Sequence, residues 1–194
     1  CRSIDQSSFD KILSKALSGG GYKTKSNYTE EYEKIEERVA EQSEDLISKK
    51  TKSNNTSNYS KNTGYFRRSD ESKAIGDLGE FLVFEILKLK QDNGDIKNLK
   101  DVSKDNVGYD IEYISKSNEL IAVEVKATKM SNFKQVHITR NEWEVAGKMR
   151  ERYHLYLIAD CKKEKNKYQI IKNLYQYVID GNANITPLDY KIEF

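Results

Sequence analysis

The sequence lacks several features that would assign it to a well-marked class. No run of about 18 apolar residues occurs, so no membrane-spanning helix is expected. No basic segment followed by an apolar one marks a secretory signal. The two cysteines, Cys1 and Cys161, form no metal-binding cluster. No G-x-x-x-x-G-K-[ST] loop indicates a nucleotide-driven motor. We therefore expect a cytoplasmic protein, and the start at Cys1 rather than Met suggests a piece of a longer one.

Charge is abundant but nearly balanced. Charged residues make up 33% of the chain and the net charge is only +2, which argues against a protein that simply coats nucleic acid. The distribution is uneven, because residues 28–48 are acidic and residues 120–167 are basic. A local basic surface is compatible with a phosphate-containing partner, although an ordinary solvated face would have the same composition.

The first third of the chain differs from the rest. Residues 7–17 have a helical pattern that three glycines end, and the apolar spacing over residues 29–50 predicts a second helix. Residues 51–64 are a polar tract with nothing to bury, which predicts a flexible linker. The sequence therefore predicts an N-terminal helical segment with its linker over residues 1–64 and a folded domain over residues 65–194.

The pattern after residue 65 predicts an α/β domain with a mixed β-sheet flanked by helices. The T-R-N-E sequence at residues 139–142 is a capping box, which marks the start of a helix. Residues 153–159 are apolar on both faces, as in a central strand. In chain order the expected elements are a buried helix (69–90), a polar loop (91–103), strands (108–114, 120–128 and 134–138), a helix (139–152), a strand (153–159), and edge pieces (167–171 and the tail from 174).

One strand carries polar residues that packing does not explain. With a period of two, Glu124 and Lys126 share one face of the otherwise apolar strand 120–128. If this strand forms a hairpin with the preceding one and Ile114 lies opposite Leu120, then Asp110 lies opposite Glu124. Opposed Cβ atoms lie roughly 4.5–5.5 Å apart. Two carboxylates at that distance repel unless a cation lies between them.

The expected cation is Mg²⁺, with Mn²⁺ as a substitute, because hard cations take oxygen ligands and Mg²⁺ suits phosphate substrates. Asp110, Glu124 and the carbonyl of Val125 would hold it, polarising a phosphodiester oxygen and acidifying a water. Lys126 would orient that water or stabilise charge on phosphorus. Glu80 lies on an apolar stripe of the buried helix, where an unpaired charge is costly, and could hold a second metal or a metal-bound water.

Each of these residues also has an ordinary interpretation. Glu124 and Lys126 could be a surface pair on an edge strand. Asp110 could be only a turn residue, and Glu80 could point outward. The combination of D-x13-E-x-K with a Glu-bearing buried helix upstream favours the functional interpretation.

These motifs resemble a known superfamily. Asp110, Glu124-Val125-Lys126 and the upstream Gly79-Glu80 look like the PD-(D/E)XK nucleases, the fold of many restriction endonucleases. More closely, the runs G-x-x-G-E-x-x-V, V-G-Y-D-I, V-E-V-K-A, I-T-R-N-E-W-E-V-A and Y-x-L-Y-L-I are similar to the domain at the C-terminus of the plant protein NO VEIN. The likeness covers about residues 75–159. Tyr109 stands where the superfamily pattern has proline before the aspartate.

The resemblance implies a restriction-endonuclease-like core, Mg²⁺ dependence and DNA cleavage in a restriction or antiphage defence protein. It adds Gln135 as a candidate catalytic residue, since related nucleases place a polar residue on the strand after the lysine. Implied partners are DNA and either a second copy or a motor or recognition domain absent from this chain. Two alternatives stay open: a catalytically silent module that binds DNA or a partner subunit, and a purely structural module in which Glu80 faces solvent.

Overall fold

The computed structural model describes residues 41–48, 70–163 and 165–186. Over these residues the chain forms six strands and three α-helices, so the expected α/β class is confirmed. In chain order they are β1 (Glu41–Gln42), α1 (Asp70–Asp92), β2 (Ile96–Asp101), β3 (Ile111–Ser115), β4 (Leu120–Ala127), α2 (Arg140–Met149), β5 (Tyr153–Ala159), β6 (Lys167–Lys172) and α3 (Leu174–Ile179). No helix of the described residues is long and apolar enough to cross a bilayer.

The strands form one mixed sheet in the order β1-β6-β5-β4-β3-β2. Strands β2, β3 and β4 are an antiparallel meander, and β5 pairs with β6 in the same antiparallel way. In contrast, β4 and β5 are parallel neighbours. Parallel neighbours need a crossover connection, and α2 lies within it. The two central strands are therefore joined through a helix that begins next to the end of β4.

The hairpin of β3 and β4 has the register that the sequence predicts. Ile114 lies opposite Leu120, and the ladder continues to Ile111 opposite Val123. A slip of one residue would turn every side chain of β4 to the other face of the sheet. This register therefore decides which face carries Glu124 and Lys126.

The core has two layers, one on each face of the sheet. The odd-numbered residues of β4 pack with the apolar face of α1, in a cluster that contains Leu82, Val83 and Leu87. On the other face, Ala122 of β4 packs with Ala146 of α2 and with alternate residues of β5. All seven residues of β5 are buried, as expected of a central strand. The even-numbered side of β4, which continues to Glu124 and Lys126, is thus the face that α2 covers.

The N-terminal prediction is wrong where the structure describes it. Residues 41–48 are not helical: β1 pairs in parallel with β6, and Ile47 forms an isolated bridge with Phe133. Leu46 is only 2% exposed and belongs to the core layer that contains α2. The predicted helix over 7–17, the linker over 51–64 and the domain boundary near residue 65 lie outside the described residues.

Four further expectations need correction. The stretch 91–103, expected to be a loop, contains β2, a polar strand with an irregular register between Lys97 and Lys100. Residues 134–138, expected to be a strand, form no ladder, since only Phe133 makes a bridge here. Residues Leu174–Ile179 form α3 rather than an edge strand. Helix α2 also ends earlier than expected, and a 3-10 turn (Arg150–Arg152) leads into β5.

Candidate active site

Glu124 and Lys126 lie side by side near the end of β4. The Nζ atom of Lys126 donates a hydrogen bond to Oε1 of Glu124 over 2.5 Å. Only 3% of the Glu124 side chain and 14% of the Lys126 side chain are exposed. Because β4 is an interior strand, and because Glu124 is buried and Lys126 is mostly covered, the interpretation of this pair as a surface pair on an edge strand is wrong.

Asp110 is fixed against the same strand by two hydrogen bonds. Its backbone N–H donates to the carbonyl of Val123 over 3.0 Å, just before β3 begins. Its Oδ2 accepts from the N–H of Val125 over 2.8 Å. Burial raises the pKa of Asp110, whereas the Val125 N–H and the charge of Lys126 act in the opposite direction. The carboxylate is therefore held beside the Glu-Val-Lys segment by a side-chain bond to its backbone, whereas the strand pairing itself ends at Ile111 opposite Val123.

The loop before Asp110 is anchored by α2 and β5. Gly108 has a φ of 91°, and a Cβ atom on it would lie 2.8 Å from Cγ2 of Val145 on α2. The buried hydroxyl of Tyr153 donates to the carbonyl of Gly108 over 3.2 Å. The side chain of Asn141 donates to the carbonyl of Asn106. These contacts fix the position of Asp110 relative to β4.

Glu142 is a member of the cluster that the sequence analysis did not include. The capping box at the start of α2 is present, with Thr139 accepting from the Glu142 N–H and Glu142 Oε2 accepting from the Thr139 N–H. The same Oε2 also accepts from Nζ of Lys126 over 3.2 Å. The capping box alone accounts for a glutamate at this position, so its contact with Lys126 leaves no separate signal in the sequence. The contact follows from the position of α2, which begins beside the end of β4.

Glu80 lies on α1, which packs closely against the odd-numbered face of β4. A Cβ atom on Gly79 would lie only 2.4 Å from Cβ of Ala127, so a larger residue at position 79 would force the helix away from the strand. Glu80, the next residue, is partly buried, and its pKa is raised to about 8. Burial is the main cause, followed by the negative charges of Asp110, Asp77 and Asp101. Glu80 therefore faces other acids, and the alternative in which it faces open solvent is wrong.

The cluster holds more acid than base. Burial raises the pKa of Glu124 to about 8 against the opposing charge of Lys126, and Asp110 and Glu142 raise it further. Among the described residues, Lys126 is the positive charge that lowers the pKa of Glu80, Asp110 and Glu124 alike. Carboxylates crowded in a poorly solvated place either take up protons or attract a cation. Glu80, Asp110 and Glu124 thus share the positive charge of one lysine.

The donor set suits a cation that keeps part of its water shell. Among the described residues, no three His, Cys, Asp or Glu side chains are grouped so that they could hold a metal ion. Asp110 and Glu124 instead offer two carboxylates, and Mg²⁺ is commonly bound through one or two carboxylates together with several waters. Oxygen ligands of this kind fit Mg²⁺ or Mn²⁺ and do not fit a soft metal.

Gln135 is not brought to this cluster by any contact described. It is exposed in the irregular segment between Phe133 and α2. Arg140 forms an ion pair with Glu144 over 2.7 Å at the exposed start of α2. His154 is buried against the carbonyl of Glu151, and its pKa is lowered to about 4, mainly by burial, so it has a structural role.

Part of the chain is similar to a known protein family. The model of the family described as Protein NO VEIN, C-terminal, matches residues 79–171. The match covers slightly less than half of the chain, so this part is described as similar to that family. The NO VEIN C-terminal range begins at Gly79, ends in β6, and contains Glu80, Asp110, Glu124, Lys126 and Glu142. No curated protein and no solved structure is similar enough to match the chain.

Proposed function

We propose that this domain is a Mg²⁺-dependent DNA endonuclease of the PD-(D/E)XK type. The observation that carries the proposal is the group of Asp110, Glu124 and Lys126, in which Glu124 is buried and the other two are partly buried. The aspartate is hydrogen-bonded to the backbone of the segment that bears the other two. An ordinary packing role does not explain two carboxyl groups and an ammonium in the interior of a sheet, because burying such groups costs free energy.

The roles follow from the position of each group. Asp110 and Glu124, with the carbonyl of Val125, would hold the Mg²⁺ ion, which when bound supplies Lewis acidity to a phosphodiester oxygen and to a water. Lys126 places a positive charge beside that position, where it stabilises the negative charge that develops on the phosphoryl oxygens. Glu80, with its raised pKa, holds a proton near neutral pH and can hydrogen-bond a water at the edge of the cluster.

The fold and the family support a nucleic-acid substrate. The chain order α1–β2–β3–β4–α2–β5 gives a meander followed by a helical crossover into a parallel strand, and we propose that it is a restriction-endonuclease-like core. The match to the NO VEIN C-terminal family agrees with the resemblance to restriction and defence proteins. We accordingly propose DNA as substrate, and a second copy or a separate motor or recognition domain as partner.

A plasmid cleavage assay tests the proposal. Purified protein with Mg²⁺ or Mn²⁺ is expected to nick or linearise modified or unmodified DNA, and Lys126→Ala should lower the rate roughly 100- to 1,000-fold. Lys129→Ala is the matched control, because Lys129 lies three residues further on, is exposed, and pairs with Glu71 on the surface. The proposal would be contradicted if no DNA substrate were cut, or if wild type and Lys126→Ala cleaved DNA at equal rates.

Gln135 is tested in the same assay. Its exposure leaves it able to meet a substrate, and the resemblance to related nucleases is what suggests a catalytic role. Gln135→Ala should slow cleavage if the side chain contacts the scissile region. An unchanged rate would remove it from the site.

A specific observation favours the second candidate, a silent module that binds DNA or a partner. Lys126 is bonded to both Glu124 and Glu142, so the cluster can partly satisfy its own charges. Mg²⁺ titration by calorimetry separates the two candidates. If the wild type binds Mg²⁺ and Asp110→Asn does not, the result supports the enzyme. If the folded wild type does not bind Mg²⁺, the result supports the silent module.

A further inference from the structure

We propose that Glu142 is a positioning residue that keeps Lys126 aimed at the candidate active site. The inference rests on the proposed function for its effect on catalysis only, since the contact itself can be tested without any activity. Among the described residues, Glu142 has no hydrogen bond to Asp110 or Glu124, the proposed metal ligands. Its action on the reaction would pass entirely through Lys126.

Lys126 has two carboxylate partners that come from different elements. Glu124, on the same strand, accepts from Nζ over 2.5 Å, and Glu142, at the start of α2, accepts over 3.2 Å. The side chains of Lys126 and Glu142 are 14% and 13% exposed, so water does little to screen this pair. The ammonium is therefore held between the strand and the helix.

The two partners are not equivalent during the proposed reaction. Glu124 is a proposed metal ligand, so its negative charge is shared with a cation whenever the site is loaded. A cation there also repels the ammonium of Lys126. Of the two carboxylate partners described for Lys126, Glu142 is the one that the lysine then retains. Glu142 would hold the long lysine side chain within reach of the reacting phosphate.

Glu142 is itself held by the backbone. Its Oε2 accepts from the N–H of Thr139 over 2.8 Å, while its own N–H donates to the Thr139 hydroxyl over 3.2 Å. A carboxylate tied to a helix start in this way does not follow Lys126 when the lysine moves. The capping box thus gives Lys126 a fixed counter-charge.

The chemistry of the capping box separates the two roles of Glu142. Glutamine serves as well as glutamate at this position of the box, so Glu142→Gln keeps an oxygen for the Thr139 N–H and loses the charge that attracts Lys126. Thr139→Ala does the reverse, because it removes the hydroxyl that caps the helix and leaves the Glu142 carboxylate and the backbone N–H in place. The pair of variants distinguishes positioning of Lys126 from stabilisation of α2.

The direct test is the rate at which acetic anhydride acetylates Lys126 in the full chain, followed by peptide mass spectrometry. Lys148, on the exposed side of α2, is the internal reference. We expect Lys126 to react faster in Glu142→Gln than in wild type, with Lys148 unchanged, and Thr139→Ala to resemble wild type at Lys126. Equal Lys126 rates in wild type and Glu142→Gln, or an equal increase in Thr139→Ala, would overturn the proposal.

The catalytic consequence is measured on the same three proteins. Loss of a residue that orients an active-site group typically lowers activity 10- to 100-fold. We expect Glu142→Gln to lower kcat for DNA cleavage by roughly that factor with little change in KM, and Thr139→Ala to lower Tm while keeping kcat. A kcat for Glu142→Gln equal to that of wild type would refute the catalytic role. If wild type cleaves no DNA, the proposed function fails, and the acetylation rates still decide whether Glu142 positions Lys126.

Discussion

At the scale of single residues, Glu80 carries the clearest consequence for stability. The pKa of its carboxyl is about 4.5 in a solvated setting and about 8 in the folded protein. Between these values the folded state binds a proton that the unfolded state has released. Stability therefore falls as the pH rises through this window.

We predict that Glu80→Gln removes this part of the pH dependence. In the absence of divalent cations, the variant should be more stable than wild type at pH 8, by an amount on the order of a few kcal/mol. The difference should vanish near pH 4, where Glu80 is protonated in both states. Urea unfolding at several pH values in EDTA measures it. A difference that stays constant with pH would show that Glu80 is not held in a buried acidic setting.

Single residues also show what local patterns can reveal. Asp110, Glu124 and Lys126 were predicted together because a strand repeats every two residues and the hairpin register follows from the apolar face. Glu142 was not predicted as part of the cluster, since its contact with Lys126 depends on the position of α2 relative to β4. That position is set by the packing of Ala146 and the residues around it, which no short motif encodes.

At the scale of elements, the contact between α1 and β4 depends on Gly79. A methyl group there would lie 2.4 Å from Cβ of Ala127, whereas a methyl group on Gly76 of the same helix would meet nothing within 4 Å. We predict that Gly79→Ala lowers the free energy of unfolding by about 1–3 kcal/mol through overpacking. Gly76→Ala, the matched control, should be neutral or stabilising by up to about 1 kcal/mol. Thermal unfolding of both variants checks the prediction.

A second substitution tests whether overpacking causes the loss of stability in Gly79→Ala. Ala127→Gly removes the methyl group that Gly79→Ala would strike, so the double variant should recover part of the lost stability. If Gly79→Ala and Gly76→Ala have the same effect, or if Ala127→Gly gives no recovery, then α1 does not approach β4 as closely as described.

The elements differ in how far the sequence could predict them. Helix α1, β4 and β5 have long apolar patterns, and their positions were expected. Strand β2 was missed because it is a polar edge strand, and Asn98, with a φ of 55°, lies where its register is irregular. The stretch 134–138 alternates like a strand, but only the neighbouring Phe133 pairs with another part of the chain, through Ile47. Whether these two stretches form strands depends on the segments available to pair with them, and not on their local sequence preference.

At the scale of the whole molecule, residues 41–48 join the domain from a distant part of the sequence. Leu46 is buried with residues of β4, β5 and α2, its N–H donates to the side chain of Gln169, and its carbonyl accepts from the N–H of Phe133. The helical spacing over residues 29–50 concealed this role, because a two-residue strand that pairs with β6 leaves no local signal.

We predict that Leu46→Ala lowers the free energy of unfolding by about 2–5 kcal/mol, because it leaves a cavity in the core. Glu44→Ala, at an exposed position two residues earlier, should change it by less than about 0.5 kcal/mol. A chain that begins at residue 65 should be less stable than one that includes residues 41–48. Urea unfolding compares these proteins, and equal stabilities of the two chains would place the domain boundary near residue 65, as the sequence alone suggests.

The most direct measurement is an anomalous difference map from crystals grown with Mn²⁺. The account predicts a peak between Asp110 and Glu124, with Lys126 turned away from Glu124 and still bonded to Glu142. A map without a peak there, in crystals that contain the cation and in which Lys126 still bonds Glu124, would contradict the claim that this cluster is a metal-dependent nuclease site.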